Sequence, residues 1–277
     1  MKKYISFILL LVFFILLSCS SCGYNKSNYT NSKNYNSGFT SKNKTKNTST
    51  INKKSGEFSY IYNKKTETLT IIGKGKINYK NFDKIPWNSV KKPTHLVVNS
   101  GVTAILGWGF QYSEDDETEK PYNHFDKTET VKLPNTLKEI GNYAFSNCIS
   151  LRSINIPNSV TNIGEAAFVN CKSLKEITIP GSIKRINEDT FWKCNNLKNV
   201  IIQDGVEIIE DFIFVDCYKL KTVVFPKSVT KINKYAFSLD CDLPSKDMAQ
   251  KIEFKGFKGT VVEEYAKKCG FKFVALG

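Results

Sequence analysis

The sequence predicts a repeat solenoid: strand-dominated α/β coils with a parallel sheet on one face, a small β-rich lead-in and a C-terminal cap. Three observations predict it. Five segments, starting at Leu133, Ile156, Ile179, Ile202 and Phe225, align at a period of 23 residues. Cys148, Cys171, Cys194 and Cys217 keep that period without a slip. The repeats also share a short alternating run, as in Leu151-x-x-Ile154-x-Ile156 and Leu174-x-x-Ile177-x-Ile179. Repetition at a fixed period of this length is the signature of stacked units.

One repeat shows why stacking is required. Side chains alternate along a strand, so Ile154 and Ile156 point to one side and Ser153 and Asn155 to the other. Pro157 follows at the strand exit, where its missing N–H is tolerated. Val160, Ile163, Ala167 and Phe168 then have apolar spacings that predict a turn and a short helical return. A lone coil would expose all these groups. Stacking buries them, at about 1.5–3 kcal/mol for each large side chain fully buried.

The repeat extends upstream with a change of length. Val102, Ile105 and Phe110 match Leu137, Ile140 and Phe145 at an offset of 35 residues. This predicts one coil with an insert, the acidic stretch 113–126. Downstream, Cys241 falls one residue late, which predicts a relaxed register there. The cysteine column predicts buried, unreactive thiols. Equivalent side chains in stacked coils run parallel rather than toward one another, and a free Cys packs as a small hydrophobe.

Composition narrows the function classes. The 277 residues are 41% hydrophobic and 24% charged, which excludes a wholly disordered chain and a multi-pass membrane protein. The formal net charge is +14. Taking away Lys2, Lys3 and the seven lysines of 23–56, a stretch without acids, leaves +5 for residues 57–277. Arg152 and Arg185 are the only arginines. Arginine is the side chain suited to bidentate phosphate and guanine contacts, so a nucleic-acid reader is disfavoured.

The amino terminus reads as an address. Lys2 and Lys3 precede an apolar run from Ile5 to Leu17, short for a spanning helix and right for a secretory signal. Leu16-Leu17-Ser18-Cys19 resembles the bacterial lipobox. That resemblance implies a signal peptide over 1–19, a lipid on Cys19, and a chain exported across the cytoplasmic membrane and lipid-anchored at the cell surface. Residues 20–56 follow as a disordered tether. Asn, Ser, Thr and Lys fill 26 of the 34 positions in 23–56, too polar to offset the entropy of ordering.

The unit Pro-Asn-Ser-Val-Thr-x-Ile-Gly-x-x-Ala-Phe-x-x-Cys-x-x-Leu-x-x-Ile-x-Ile resembles the BspA-type leucine-rich repeat of bacterial surface proteins. Residues 57–94, with Leu69–Ile77 and Ile85-Pro-Trp87, resemble the strand-rich lead-in of such proteins. The solenoid then spans 95–241. Residues 242–277 form the capping element, where Val261, Val262, Tyr265 and Ala266 have helical spacing and Gly270 stops the helix. Gln203-Asp-Gly205 departs from the Pro-Asn-Ser pattern. The resemblance implies adhesion or protein–protein recognition and carries no catalytic residues.

The function expected is therefore non-enzymatic: a surface-exposed module binding extracellular or host macromolecules. Its candidate contact row is Ser153, Asn155, Glu176, Thr178, Asn199, Ile201, Thr222 and Val224, the outward positions of the sheet. No cofactor, metal or nucleic acid is expected. A structural or self-associating envelope component is the alternative. A hydrolase is a weaker one: a Cys nucleophile would need His95 or His124 as base. His95 reads as lying in a linker-like stretch before a strand, and His124 lies in the acidic insert.

Overall fold

The structure is a computed structural model and describes residues 50–55, 57–78, 92–106, 125–237 and 252–277. The signal segment, Cys19, most of the expected tether, the insert up to His124, and Cys241 lie outside the described residues.

Two parallel ladders run through the repeats. The first is built from the Leu-x-x-Ile-x-Ile run of each coil. It comprises β3 (Thr68–Gly73), β5 (His95–Val98), β7 (Thr130–Lys132) and β9 (Ser153–Ile154), then β11 (Glu176–Ile179), β13 (Asn199–Ile202) and β15 (Thr222–Val224). Thr130 pairs with Ser153, Glu176 with Asn199, and Asn199 with Thr222, each a step of 23 residues. The upstream step, His95 to Thr130, is 35 residues, as the offset predicts.

The second ladder is shorter. It consists of one sheet of β4 (Gly75–Ile77), β6 (Val102–Ile105), β8 (Glu139–Ile140) and β10 (Asn162–Ile163), and a second sheet of β12 (Arg185–Ile186), β14 (Ile208–Ile209) and β16 (Lys231–Ile232). Among these, Ile140, Ile163, Ile186 and Ile209 are buried.

The expected helical return is not helical. Tyr143, Ala166, Asp189 and Phe212 take positive φ, as do Asn147, Asn170, Lys193 and Asp216 four residues later in each coil. Left-handed residues at that spacing cannot continue an α-helix. The backbone bonds to the next coil instead. The N–H groups of Phe145, Phe168 and Phe191 donate to the carbonyls of Ala167, Thr190 and Ile213 at 2.8, 2.9 and 3.1 Å. Each coil thus bonds to its neighbour as well as across its own turns, where Ser146 N–H donates to Tyr143 O at 3.0 Å and Val169 N–H to Ala166 O at 3.1 Å, and the buried polar backbone is satisfied.

The core is one column per repeat position. Phe145, Phe168, Phe191 and Phe214 stack at centroid separations of 5.4, 5.5 and 5.7 Å. Leu151, Leu174, Leu197 and Leu220 form a parallel buried column. Cys148, Cys171, Cys194 and Cys217 are buried, and each of Cys171, Cys194 and Cys217 donates its thiol to a phenylalanine carbonyl at 3.3 Å. Burial raises all three thiol pKa values, that of Cys194 to about 12.

Both ends are covered. At the amino end β1 (Thr50–Ser55), β2 (Phe58–Asn63) and β3 form an antiparallel meander, so pairing begins within the stretch read as tether. Tyr60, Tyr62 and Phe58 are buried beneath it. At the carboxyl end β17 (Glu253–Gly256) and β18 (Lys272–Ala275) extend the first ladder. Helix α1 (Val261–Cys269) packs Val262, Ala266 and Cys269 inward and ends at Gly270 with φ 75°. Phe225, Phe237, Phe254 and Phe271 fill the last turn with ring centroids 4.5–6.4 Å apart.

Candidate recognition face

The outward positions of the first ladder form two rows. One runs Thr68, His95, Thr130, Ser153 and then Glu176, Asn199, Thr222, Glu253, Lys272. The second lies two residues along, with Thr178, Ile201, Val224, Lys255 and Val274 aligned. Strand alternation puts them outside because Ile154, Ile177, Val200 and Val223 fill the core between them.

Seven of the eight predicted residues fall on these rows, and Asn155 lies just past the end of β9. Ser153, Asn155, Glu176, Thr178, Asn199 and Ile201 are exposed, and Thr222 and Val224 are half-buried. Ile201 stands out as a large apolar side chain 46% exposed. The face divides between Ser153 and Glu176, where two hydrogen-bonded sheets abut. Lys175 N–H donating to Arg152 O at 3.3 Å links them. Asn155 also borders an open groove of about 590 Å³ lined with Asn135, Asn158 and Ser159.

His95 is the first residue of β5 rather than part of a linker before it. Its Nδ1 is 2.7 Å from Thr130 Oγ1 on the next strand. The described cysteines are buried, and the raised pKa values of Cys171, Cys194 and Cys217 leave those thiols protonated at neutral pH. Neither feature supplies an activated nucleophile.

A different corner carries the most perturbed charges. Glu165, Glu188 and Asp211 sit one coil apart, with Asp189 beside them. Burial first, then the charges of Glu165 and Glu188, push Asp189 up to about 7, against a weaker opposing pull from Lys193. Arg185 pairs with Glu210 at the edge of this corner, which borders an open groove of about 440 Å³. No group of three or more His, Cys, Asp or Glu among the described residues is placed to hold a metal ion.

Two features escape a reading of the sheet rows alone. Tyr218 is 65% exposed in the turn before β15. Arg152, Lys175, Lys198 and Lys221 recur at one coil position, immediately before the first strand. The 23-residue spacing of the cations is the sequence signal that locates them.

Stacked coils, two parallel ladders and a capped core define a leucine-rich-repeat solenoid. Residues 119–243 match the family described as BspA type Leucine rich repeat region, in six copies, and this stretch is a BspA-type repeat array. A leucine-rich repeat protein from Bacteroides ovatus has a similar fold, with 23% identity and a TM-score of 0.51, over 76% of this chain and 52% of that one. A leucine-rich repeat protein from Eubacterium ventriosum gives 18% and 0.48, over 74% and 65%. One from T. pallidum gives 19% and 0.46, over 81% and 98%. The chain therefore spans about half the length of the Bacteroides ovatus protein. No curated protein matches it. Leucine-rich-repeat proteins generally mediate protein–protein interaction and are generally not enzymes.

Proposed function

We propose that this protein is a non-enzymatic recognition module that binds an extracellular or host macromolecule through the outward face of its first ladder. The observation that carries this reading is the face itself. It is a regular, solvent-facing array in which exposed Ile201 and its half-buried neighbour Val224 lie among Thr178, Asn199 and Thr222. A central apolar group within a polar surround is the arrangement of a protein-contact patch. The reading needs no cofactor and no metal.

We further propose that the chain is exported and held at a bacterial cell surface by a lipid on Cys19. The Leu16-Leu17-Ser18-Cys19 sequence and the apolar run before it support this. Mass spectrometry of the mature amino terminus tests it: a diacylglyceryl-modified Cys19 is expected, and an unmodified terminus elsewhere contradicts it.

The binding reading is tested with the full chain against a panel of purified extracellular-matrix and host surface proteins. Saturable binding to a panel member is expected. Asn199→Arg with Ile201→Arg should weaken it about tenfold or more with unchanged thermal unfolding. No saturable binding, or binding indifferent to that pair of substitutions, contradicts the reading.

A further inference from the structure

We propose that a row of cations bordering the recognition face binds an extended anionic polysaccharide, one bearing sulfate or carboxylate groups along its length. Arg152, Lys175, Lys198 and Lys221 occupy the same position in four successive coils. Their backbones are joined directly: Lys175 N–H donates to Arg152 O at 3.3 Å, Lys198 to Lys175 at 2.8 Å and Lys221 to Lys198 at 2.9 Å. The row therefore advances by the interstrand spacing, about 4.8 Å per coil. All four side chains are exposed. Arg152 pairs with Glu129 at the head of the row, at 2.7 Å. Lys175, Lys198 and Lys221 make no ion pair among the described residues.

Like charges held at that spacing repel one another and gather counterions. A polymer with an anionic group recurring along its length relieves the repulsion at every coil and releases those counterions. The inter-coil bonds keep the row in register, so an extended partner fits it better than a compact one.

Tyr218 points to a sugar polymer in particular. Its ring is 65% exposed, three residues before Lys221, and its hydroxyl donates to Asp216 Oδ1 at 2.7 Å, which restrains the ring. An exposed, restrained aromatic face offers stacking to the apolar side of a pyranose, while the adjacent lysines take its anionic groups. Duplex nucleic acid fits less well, because its bases are stacked inside the helix and leave the Tyr218 ring no free face to pack against. The proposal rests on the same reading of the chain as an exposed recognition protein, but on residues outside the sheet rows.

The test measures binding of the full chain to heparin at about 0.15 M salt. Duplex DNA and polyglutamate serve as comparison polyanions. Lys175→Glu/Lys198→Glu/Lys221→Glu should weaken heparin binding about tenfold or more. Lys64→Glu/Lys65→Glu/Lys74→Glu makes the same change of net charge on exposed residues of the amino-terminal end and should weaken it much less. Tyr218→Ala should weaken heparin binding and leave polyglutamate binding unchanged. The proposal is overturned by equal losses in the two triple variants, by DNA binding as tight as heparin binding, or by no heparin binding at this salt. Binding to the protein panel through Asn199 and Ile201 should survive the row substitutions, so failure of either reading shows separately.

Discussion

Phe168 and Phe191 lie one coil apart with their ring centroids separated by 5.5 Å and their planes 5° from parallel. Both are fully buried. The pair is the repeating unit of the core: the same ring, held at the same orientation by the same inter-coil backbone bond. Removing one ring leaves a cavity between two flanking rings that the backbone bonds keep apart. Phe168→Ala should therefore cost about 3–5 kcal/mol in denaturant unfolding. A loss below about 1 kcal/mol would place that ring outside the load of the core.

The thiols of Cys171, Cys194 and Cys217 are buried, hydrogen-bonded and shifted toward the protonated form. Thiolate is the reactive species, so these positions should resist a thiol-labelling reagent at pH 8 in the native protein and react once unfolded. Tryptic peptides analysed by mass spectrometry report each position. Rapid native labelling of Cys194 would contradict this account.

Gly181 explains a local departure from the repeat pattern. A β-carbon there would collide with the carbonyl oxygen of Asp204 in the following coil. That coil carries Asp204-Gly205 in place of Asn-Ser, and Gly205 takes φ 111°. The obstacle is backbone, so the coils must part to admit a methyl group. Gly181→Ala should destabilise by about 2–3 kcal/mol. Asn158→Gly, at the equivalent position one coil earlier where a side chain is already accommodated, should cost about 1 kcal/mol or less. Equal effects of the two substitutions in thermal unfolding would contradict the close approach.

Asp189 sets a pH dependence. Its pKa is raised in the folded protein from 3.8 to about 7, by burial and then by Glu165 and Glu188. The folded state thus holds a proton that the unfolded state releases. This contribution favours folding fully below about pH 4, fades as pH rises toward 7, and is lost above that. Asp189→Asn should raise stability at pH 8 by about 1–2 kcal/mol, allowing for partial solvent screening. At pH 4 it should change little. A stability difference that does not vary with pH would refute the assignment.

The period, the long coil and the outward rows were legible because each leaves a mark in residue type. Ile154 and Ile156 alternate with Ser153 and Asn155, and the cysteines count the coils. The second ladder left almost none, since Asn162–Ile163 and Arg185–Ile186 are too short to show alternation. The turn that replaces the expected helix was also hidden. Asn147 and Asn170 are residue types that tolerate positive φ, but Ala166 and Phe212 are not. Inter-coil hydrogen bonds impose their conformation, and those bonds join residues 22 or 23 positions apart. The cation row needed the fold as well as the period, because only the stacked coils bring Lys175, Lys198 and Lys221 side by side.

Native-state amide hydrogen exchange tests the stacked-coil account most directly. The N–H groups of Phe145, Phe168 and Phe191 bond only to carbonyls of the next coil. They should exchange slowly and together, in step with the strand amides of Val200 and Val223. Fast exchange at these three positions while helix Val261–Cys269 stays protected would contradict it.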